Sequence, residues 1–249
     1  MKLFDFSAFL KSFPILLPYL PFTLGILGLS LVFSLSFGLF FAWCKLRKNR
    51  IVRNLIGFYV QIIQGTPFIV LLFVNYYGIP KLLKEGFGFD ITGWNKAFYM
   101  VLTLSAFGSA RMSETMRSAY LAIPKGQTEA ALSCGLSPFQ SFIHIVMPQA
   151  LYIALPNLGN LIISNLLETA VGFSIGVIDL VGNARNYNTR TYGIYILEVY
   201  VAIALIYWAL SLLLAKLTQV LEDWLGRHQG VGASPNSGSG KKKKEAAHV

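Results

Sequence analysis

Two opposite charges stand inside an otherwise uncharged stretch: Arg111 and Glu114 lie between Lys96 and Arg117 with no other charge between those limits. Three residues apart, they share one face of a helix. Gly108, Thr115 and Ser118 extend that face as a small, polar stripe. A guanidinium offers a planar fork to a carboxylate, and a glutamate can receive an ammonium. A second set, Asn157, Asn160, Ser164 and Glu168, recurs within an arc of about 80° at helical spacing. A third feature is Gln64-Gly65-Thr66-Pro67, where Gly65 and Pro67 interrupt a helix and free backbone groups around Thr66. Together these residues suit recognition of a zwitterion. Its carboxylate would meet Arg111, and its ammonium Glu114, Glu168 or the asparagine carbonyls. The stripes equally suit a subunit interface, and Arg111 and Glu114 can simply neutralise each other, because lone charges inside a bilayer are costly.

Bond-making chemistry has no comparable support. His144, His228 and His248 show no metal-ligand spacing, and no Ser/His/Asp arrangement stands out, so no catalytic or metal residue is assigned. His144 is expected to pack within its own helical hairpin. The phosphate-cradling pattern G-x-x-x-x-G-K-[ST] is missing: "GSGKKKK" has proline where the first glycine should be. Any nucleotide hydrolysis coupled to this chain belongs to another polypeptide.

The elements that position these groups are membrane spans. Mean hydropathy is +0.57 and only 13% of the 249 residues are charged, against roughly a quarter in soluble domains. No charge occurs between Lys11 and Lys45, between Arg53 and Lys81, or between Lys96 and Arg111, and a span needs about 20 mostly apolar residues. The fold class is an all-α membrane protein with five spans, near 20–43, 55–79, 97–117, 151–179 and 194–216. Residues 1–19 carry aromatics, Lys11 and prolines, and suit a short interfacial helix with a bent approach to the first span. From Gly226 the chain turns Gly/Ser-rich and then polybasic, the composition of a disordered tail with some attraction for lipid.

Net charge is +10, but the cations cluster at span ends and in the tail, which favours membrane topology over nucleic acid. With the N-terminus outside and the C-terminus cytoplasmic, thirteen cations fall on the inner side and seven on the outer. Cys44 and Cys134 then lie in or beside a reducing compartment and are expected as free thiols. No removable signal peptide is evident.

Residues 119–148 form the least apolar connection. Gln127–Cys134 is a predicted helix with Gly135 as its cap. Ser137, Pro138 and Gln140 open a second with a capping box, predicted to end before Pro148. Phe139, Phe142, Ile143 and Val146 give it one apolar stripe. Such a hairpin is a compact knob on the inner face.

Glu129-Ala130-Ala131, Gly135, Ile145 and Pro148 match the pattern E-A-A-x(3)-G-x(9)-I-x-x-P, and with them the chain resembles the permease subunits of ABC importers. "IPKGQTEAALSCGL", "MPQALYIALPNLGN", "QGTPFIVLLFVNYYGIP" and "LLETAVGFSIGV" are similar to permeases of polar amino acid importers, over residues 20 to 225. The resemblance implies that the 119–148 loop, with Gln127, is a coupling helix seated in a cytoplasmic ATPase subunit. It further implies two ATPase copies holding ATP and magnesium, a second permease copy or a similar permease, an extracytoplasmic amino acid-binding protein, and the bacterial inner membrane. This chain would itself hold no cofactor. Three departures fall in regions that the resemblance places near the pathway: Gln64 replaces the arginine of "RGTP", Arg111 stands where an aromatic is usual, and Leu167-Glu168-Thr169-Ala170 replaces "KDTS". The alternatives are an ion-gradient-driven amino acid transporter, disfavoured by the lack of an inverted repeat, and a non-transporting anchor, disfavoured by the polar stripes.

Overall fold

The computed structural model describes residues 4–228. Every described element is helical: α1 (Phe6–Leu16), α2 (Leu20–Leu46), α3 (Arg50–Gly65), α4 (Phe68–Phe73), α5 (Ile79–Phe87), α6 (Lys96–Leu121), α7 (Lys125–Ser133), α8 (Pro138–Ser141), α9 (Met147–Thr169), α10 (Leu180–Arg190) and α11 (Ile196–His228).

Three stretches are long and apolar enough to cross a membrane, Phe6–Leu46, Pro138–Ile175 and Ile196–Arg227. A fourth qualifies if α3 and Phe68–Phe87 count together, bent by 108° at the break. The span expected over 55–79, with its interruption at Gly65 and Pro67, is therefore two differently directed pieces. The cause is local: Thr66 and Pro67 take extended backbone, and Pro67 has no N–H to continue the ladder. α6, predicted as a span over 97–117, is a helix of 26 residues, about 39 Å long. Its charges and small polar residues leave it outside the apolar class. It runs through the centre, against α2, α3, α4 and α9, with Met100, Leu104 and Met112 fully buried.

Three packed clusters form the core, two of them including that helix. Leu27, Leu166, Leu180, Val199, Ala202 and Tyr207 join α2, α9, α10 and α11. Ile26, Phe68, Leu72, Tyr99 and Leu104 join α2, α4 and α6. Met112, Ala119, Ala154, Leu158 and Leu161 join α6 to α9. Small residues set the closest crossings. A Cβ on Gly108 would lie 2.3 Å from Ser34 Oγ, and one on Gly159 2.3 Å from Thr218 Cγ2.

The N-terminal segment and first span are more continuous than expected. α1 passes through a single 3₁₀ turn, Leu17–Tyr19, into α2, so Phe6–Leu46 is one helix of 41 residues. Pro18 and Pro21 fall in the first turns of their helical pieces, where a missing N–H is tolerated. Asp5 caps α1, and its own N–H donates to buried Glu198 at 2.7 Å, fastening the segment to α11. At the other end α11 continues through His228, so helix persists past the predicted tail boundary at 226. The remainder of that tail lies outside the described residues.

The loop over 119–148 is a helical hairpin with one departure. α7 ends where Gly135 takes φ +84°, the Gly135 N–H donates to Leu132 O and the Leu136 N–H to Ala131 O, a Schellman closure. Ser137 and Gln140 then form a reciprocal capping box. The second helix does not end before Pro148. A π turn over Phe142–Val146 carries α8 into α9, and Met147 N–H donates to Phe142 O. The wider turn absorbs the N–H that Pro148 lacks. The same device, a π turn over Val74–Gly78, precedes Pro80.

Candidate functional site

Arg111 is carried by the central helix and faces α9. Its Nη1 donates to Glu168 Oε1 at 3.0 Å, and its guanidinium lies 5.2 Å from the Phe107 ring. The predicted pairing of Arg111 with Glu114 is not formed. Glu114 accepts instead from Lys45 Nζ at 2.6 Å and from Arg117, whose Nε is at 3.0 Å. The reason is geometric. α9 brings a carboxylate to one side of α6, and the end of α2 brings an ammonium to the other. Arg111 therefore pairs across to α9, while Glu114 is held between Lys45 of α2 and Arg117 one turn further along α6.

A cavity of about 410 Å³ opens beside these pairs, lined by Gln64, Phe107, Arg111, Glu114, Thr115, Ser118, Asn157 and Leu161. Gln64 comes from the last turn of α3, next to the break, and donates from Nε2 to Ala110 O at 3.2 Å. Asn157 donates from Nδ2 to Thr115 Oγ1 at 2.8 Å, joining the α9 stripe to the α6 stripe. The wall thus offers a guanidinium, a carboxylate, two amides and two hydroxyls around a space of amino-acid size. It can bind and orient a small polar solute; it has no nucleophile–base pair. Among the described residues no group of three His, Cys, Asp or Glu side chains could hold a metal.

The predicted residues divide. Arg111 and Glu114 line the cavity, and Glu168 reaches it through Arg111, while its Oε2 is buried without a hydrogen bond among the described residues. Asn160 is exposed on the outer side of α9 and Ser164 half-buried; neither lines the cavity. Thr66 donates back to Ile62 O at 2.8 Å, closing the end of α3, and is likewise off the cavity. In the hairpin, Gln127, Glu129, Ala130 and Gly135 are exposed, Ala131 is buried, and Ile145 and Pro148 are half-buried. Phe139 stands 71% exposed, so the apolar stripe on this arm is uncovered at its tip. His144 does not pack within the hairpin; it is exposed, with Nδ1 3.0 Å from Gln140 O. Cys44 is buried and Cys134 exposed, both as free thiols.

One contributor, and one buried polar residue outside the cavity wall, escape sequence reasoning. Lys45 is hidden among the basic residues that mark a span end, and nothing local links it to a glutamate 69 positions away. Asn165 is wholly buried between α2 and α6, its amide atoms without hydrogen bonds among the described residues and close to Gly108. Its spacing of three from Glu168 was the available signal.

Long apolar helices around a polar, charge-lined cavity define a membrane transport component. The chain belongs to the binding-protein-dependent transport system inner membrane component family, whose model matches residues 34–227. It is a permease subunit of an ABC importer, and the ATPase of such an importer is a separate subunit. It is 39% identical over 228 residues to the L-cystine transport system permease protein TcyL of Bacillus subtilis, covering 92% of this chain and 94% of that one. It is 32% identical over 218 residues to the arginine transport system permease protein ArtQ of Bacillus subtilis, covering 88% and 95%. Among solved structures, an amino acid ABC transporter crystallised with histidines superposes with a TM-score of 0.76 at 32% identity, over 88% of this chain and 98% of that one. The MetNI methionine transporter shares the fold at 20% identity, TM-score 0.66, over 85% and 96%.

Proposed function

We propose that this chain forms the passage for a polar amino acid in an ATP-driven importer. The substrate would sit in the cavity against Arg111. Its carboxylate would engage the guanidinium, and its ammonium would take Glu168 or Glu114 as acceptor. Asn160 and Ser164, on the outer side of α9, would meet a second permease copy or a similar permease, and Thr66 would set the angle of the α3–α4 break. The observation that carries this reading is the Arg111–Glu168 pair at the edge of a polar cavity. A cation and a carboxylate that already satisfy each other can each turn to the opposite end of a zwitterion with no change in net charge.

In the same reading α2, the broken α3–α4 unit, α6, α9 and α11 make five crossings, with the N-terminus outside and the C-terminus cytoplasmic. The 125–146 hairpin then faces two ATPase subunits that hold ATP and magnesium, and Gln127, Glu129, Ala130, Ala131, Gly135, Ile145 and Pro148 form or support the contact. An extracytoplasmic binding protein delivers substrate on the opposite side, in the bacterial inner membrane. Exposed Gln127, Glu129 and Ala130 support this contact, as does the uncovered Phe139. Reconstitution of the permease with its ATPase and binding protein in proteoliposomes tests the reading. Uptake of a polar amino acid should require internal ATP and persist when proton and sodium gradients are collapsed. Uptake driven by an imposed ion gradient without ATP would refute it.

A further inference from the structure

Beyond Glu114, on the hairpin side of the substrate cavity, lies a second space of about 750 Å³ between α3 and the ends of α2 and α6. Glu114 and Gln64 belong to both walls. Lys45, Arg53 and Arg117 line the second space, and Glu114 is its one lining carboxylate. Lys45 and Arg117 both donate to that carboxylate. Arg53 is exposed on the wall, its side chain without an ion pair or hydrogen bond among the described residues. Three cations against one anion leave a surplus of two positive charges along an open groove. That arrangement is self-repelling, and a bound anion relieves it.

The depth of this space indicates which anion. The uncharged run of α2 stops at Cys44, and Lys45 is the next residue. Two residues on, Arg47 stacks 3.6 Å over the Trp43 ring, and Arg47, Lys48 and Arg50 are exposed. An aromatic followed by a cluster of cations at a span end is the composition of the headgroup layer. α3, which follows, is amphipathic. Ile51, Leu55, Phe58 and Ile62 are all exposed and recur at spacings of four, three and four. Arg53, Asn54 and Gln61 turn towards the cavity. Phe58, at the edge of the stripe, also borders the cavity; the helix thus presents Ile51, Leu55 and Ile62 outward and cationic and amide donors inward.

We propose that this space binds the phosphate of an anionic phospholipid from the leaflet on the hairpin side. Arg53 is the main contact, Lys45 and Arg117 contribute the charge that Glu114 leaves unneutralised, and Asn54 and Gln61 donate to headgroup oxygens. The acyl chains lie outside, along the Ile51–Ile62 stripe. The site is separate from the Arg111–Glu168 pair and stands whether or not that pair contacts substrate.

The test uses the full-length protein, in the complex in which it purifies, reconstituted in nanodiscs of phosphatidylcholine with or without phosphatidylglycerol. Phosphatidylglycerol should raise the thermal midpoint by several degrees, and native mass spectrometry after detergent release should find it retained. Arg53→Gln should reduce retention about tenfold, the loss of one charge-assisted contact. Arg53→Lys, which keeps the charge, should retain most of it. Replacing Lys241, Lys242, Lys243 and Lys244 by glutamine should leave retention intact. Equal retention by wild type and Arg53→Gln would overturn the proposal, as would loss only in the tail variant. An equal midpoint shift from millimolar inorganic phosphate in pure phosphatidylcholine would assign the site to a free anion and reject the lipid.

Discussion

Arg111 and Glu168 meet from helices 57 positions apart, while the nearer glutamate at 114 is claimed by Lys45 and Arg117. The consequence for mutagenesis is specific. Arg111→Met leaves Glu168 without a cation and should destabilise the complex by up to about 3 kcal/mol, the cost of breaking a partly buried pair. Glu114→Gln added to Arg111→Met should not repair that loss. Arg111→Met with Glu168→Gln should restore the thermal midpoint, because no charge is then stranded, yet uptake should stay abolished if the guanidinium serves substrate. Full uptake in that stable double variant would remove Arg111 from recognition. A separate residue-scale expectation concerns the loop before α6. Lys84, 2.8 Å away, and Thr92 hold the Asp90 carboxyl well below the usual range. A depressed folded value contributes stability above the unfolded pKa of about 3.9, and that contribution disappears as pH falls through the folded value. The thermal midpoint of wild type should exceed that of Asp90→Asn slightly at pH 6, and the difference should vanish well below pH 4. The types of the cavity residues were legible in the sequence, because a charge or amide inside an apolar run is conspicuous. Their partners were not. Helical spacing offers Glu114 both Arg111 and Arg117 at three residues without choosing between them, and Arg111's partner lay on another helix.

Helix ends in the hairpin follow local chemistry closely. Ser137, Pro138 and Gln140 form the capping box that their order implies, and Gly135 takes the left-handed turn. Gly135→Val forces a branched side chain into that region, about 1–2 kcal/mol unfavourable, and should loosen the turn. Glu129→Arg reverses an exposed charge on α7 without touching the fold. Both should reduce the ATPase recovered with the purified permease while membrane insertion stays unchanged; equal recovery would dismiss the contact. What the sequence conceals at this scale is continuity. Pro148 and Pro80 look like terminators, but a π turn before each lets the helix pass. Hydrophobic periodicity carries no signal of one extra residue in a turn. Tight crossings are similarly invisible until two helices meet. Gly159→Leu should separate α9 from α11 at Thr218 and lower the thermal midpoint by several degrees, whereas Leu at Gly28, with open space around it, should not.

For the whole molecule, composition was enough to establish a helical membrane protein, and the apolar runs located α2, α9 and α11. The central helix was found from its uncharged stretch between Lys96 and Arg111. Orientation rests on cation counts and has a direct check. A cysteine placed at Asn186 or Thr189, both exposed on α10, should react with a membrane-impermeant thiol reagent in intact cells, while exposed Cys134 should be labelled only after lysis. The opposite pattern would invert the molecule and detach the hairpin from any cytoplasmic partner. The π turn before Pro148 has a mechanical consequence as well. Pro138–Ile175 is a single rod of 38 residues, about 57 Å long, with the hairpin at one end and Glu168 near the other. A 10° tilt applied at the hairpin would sweep the far end through about 10 Å over that length. If the hairpin is where an ATPase pushes, the rod would act as a lever arm, magnifying a small push into a movement as large as the solute itself. Deleting one residue of the π turn, such as His144, would keep the lever but rotate its handle by about 100° relative to the blade. Such a variant should still insert and hydrolyse ATP with its partner, but its ATP hydrolysis should no longer drive uptake.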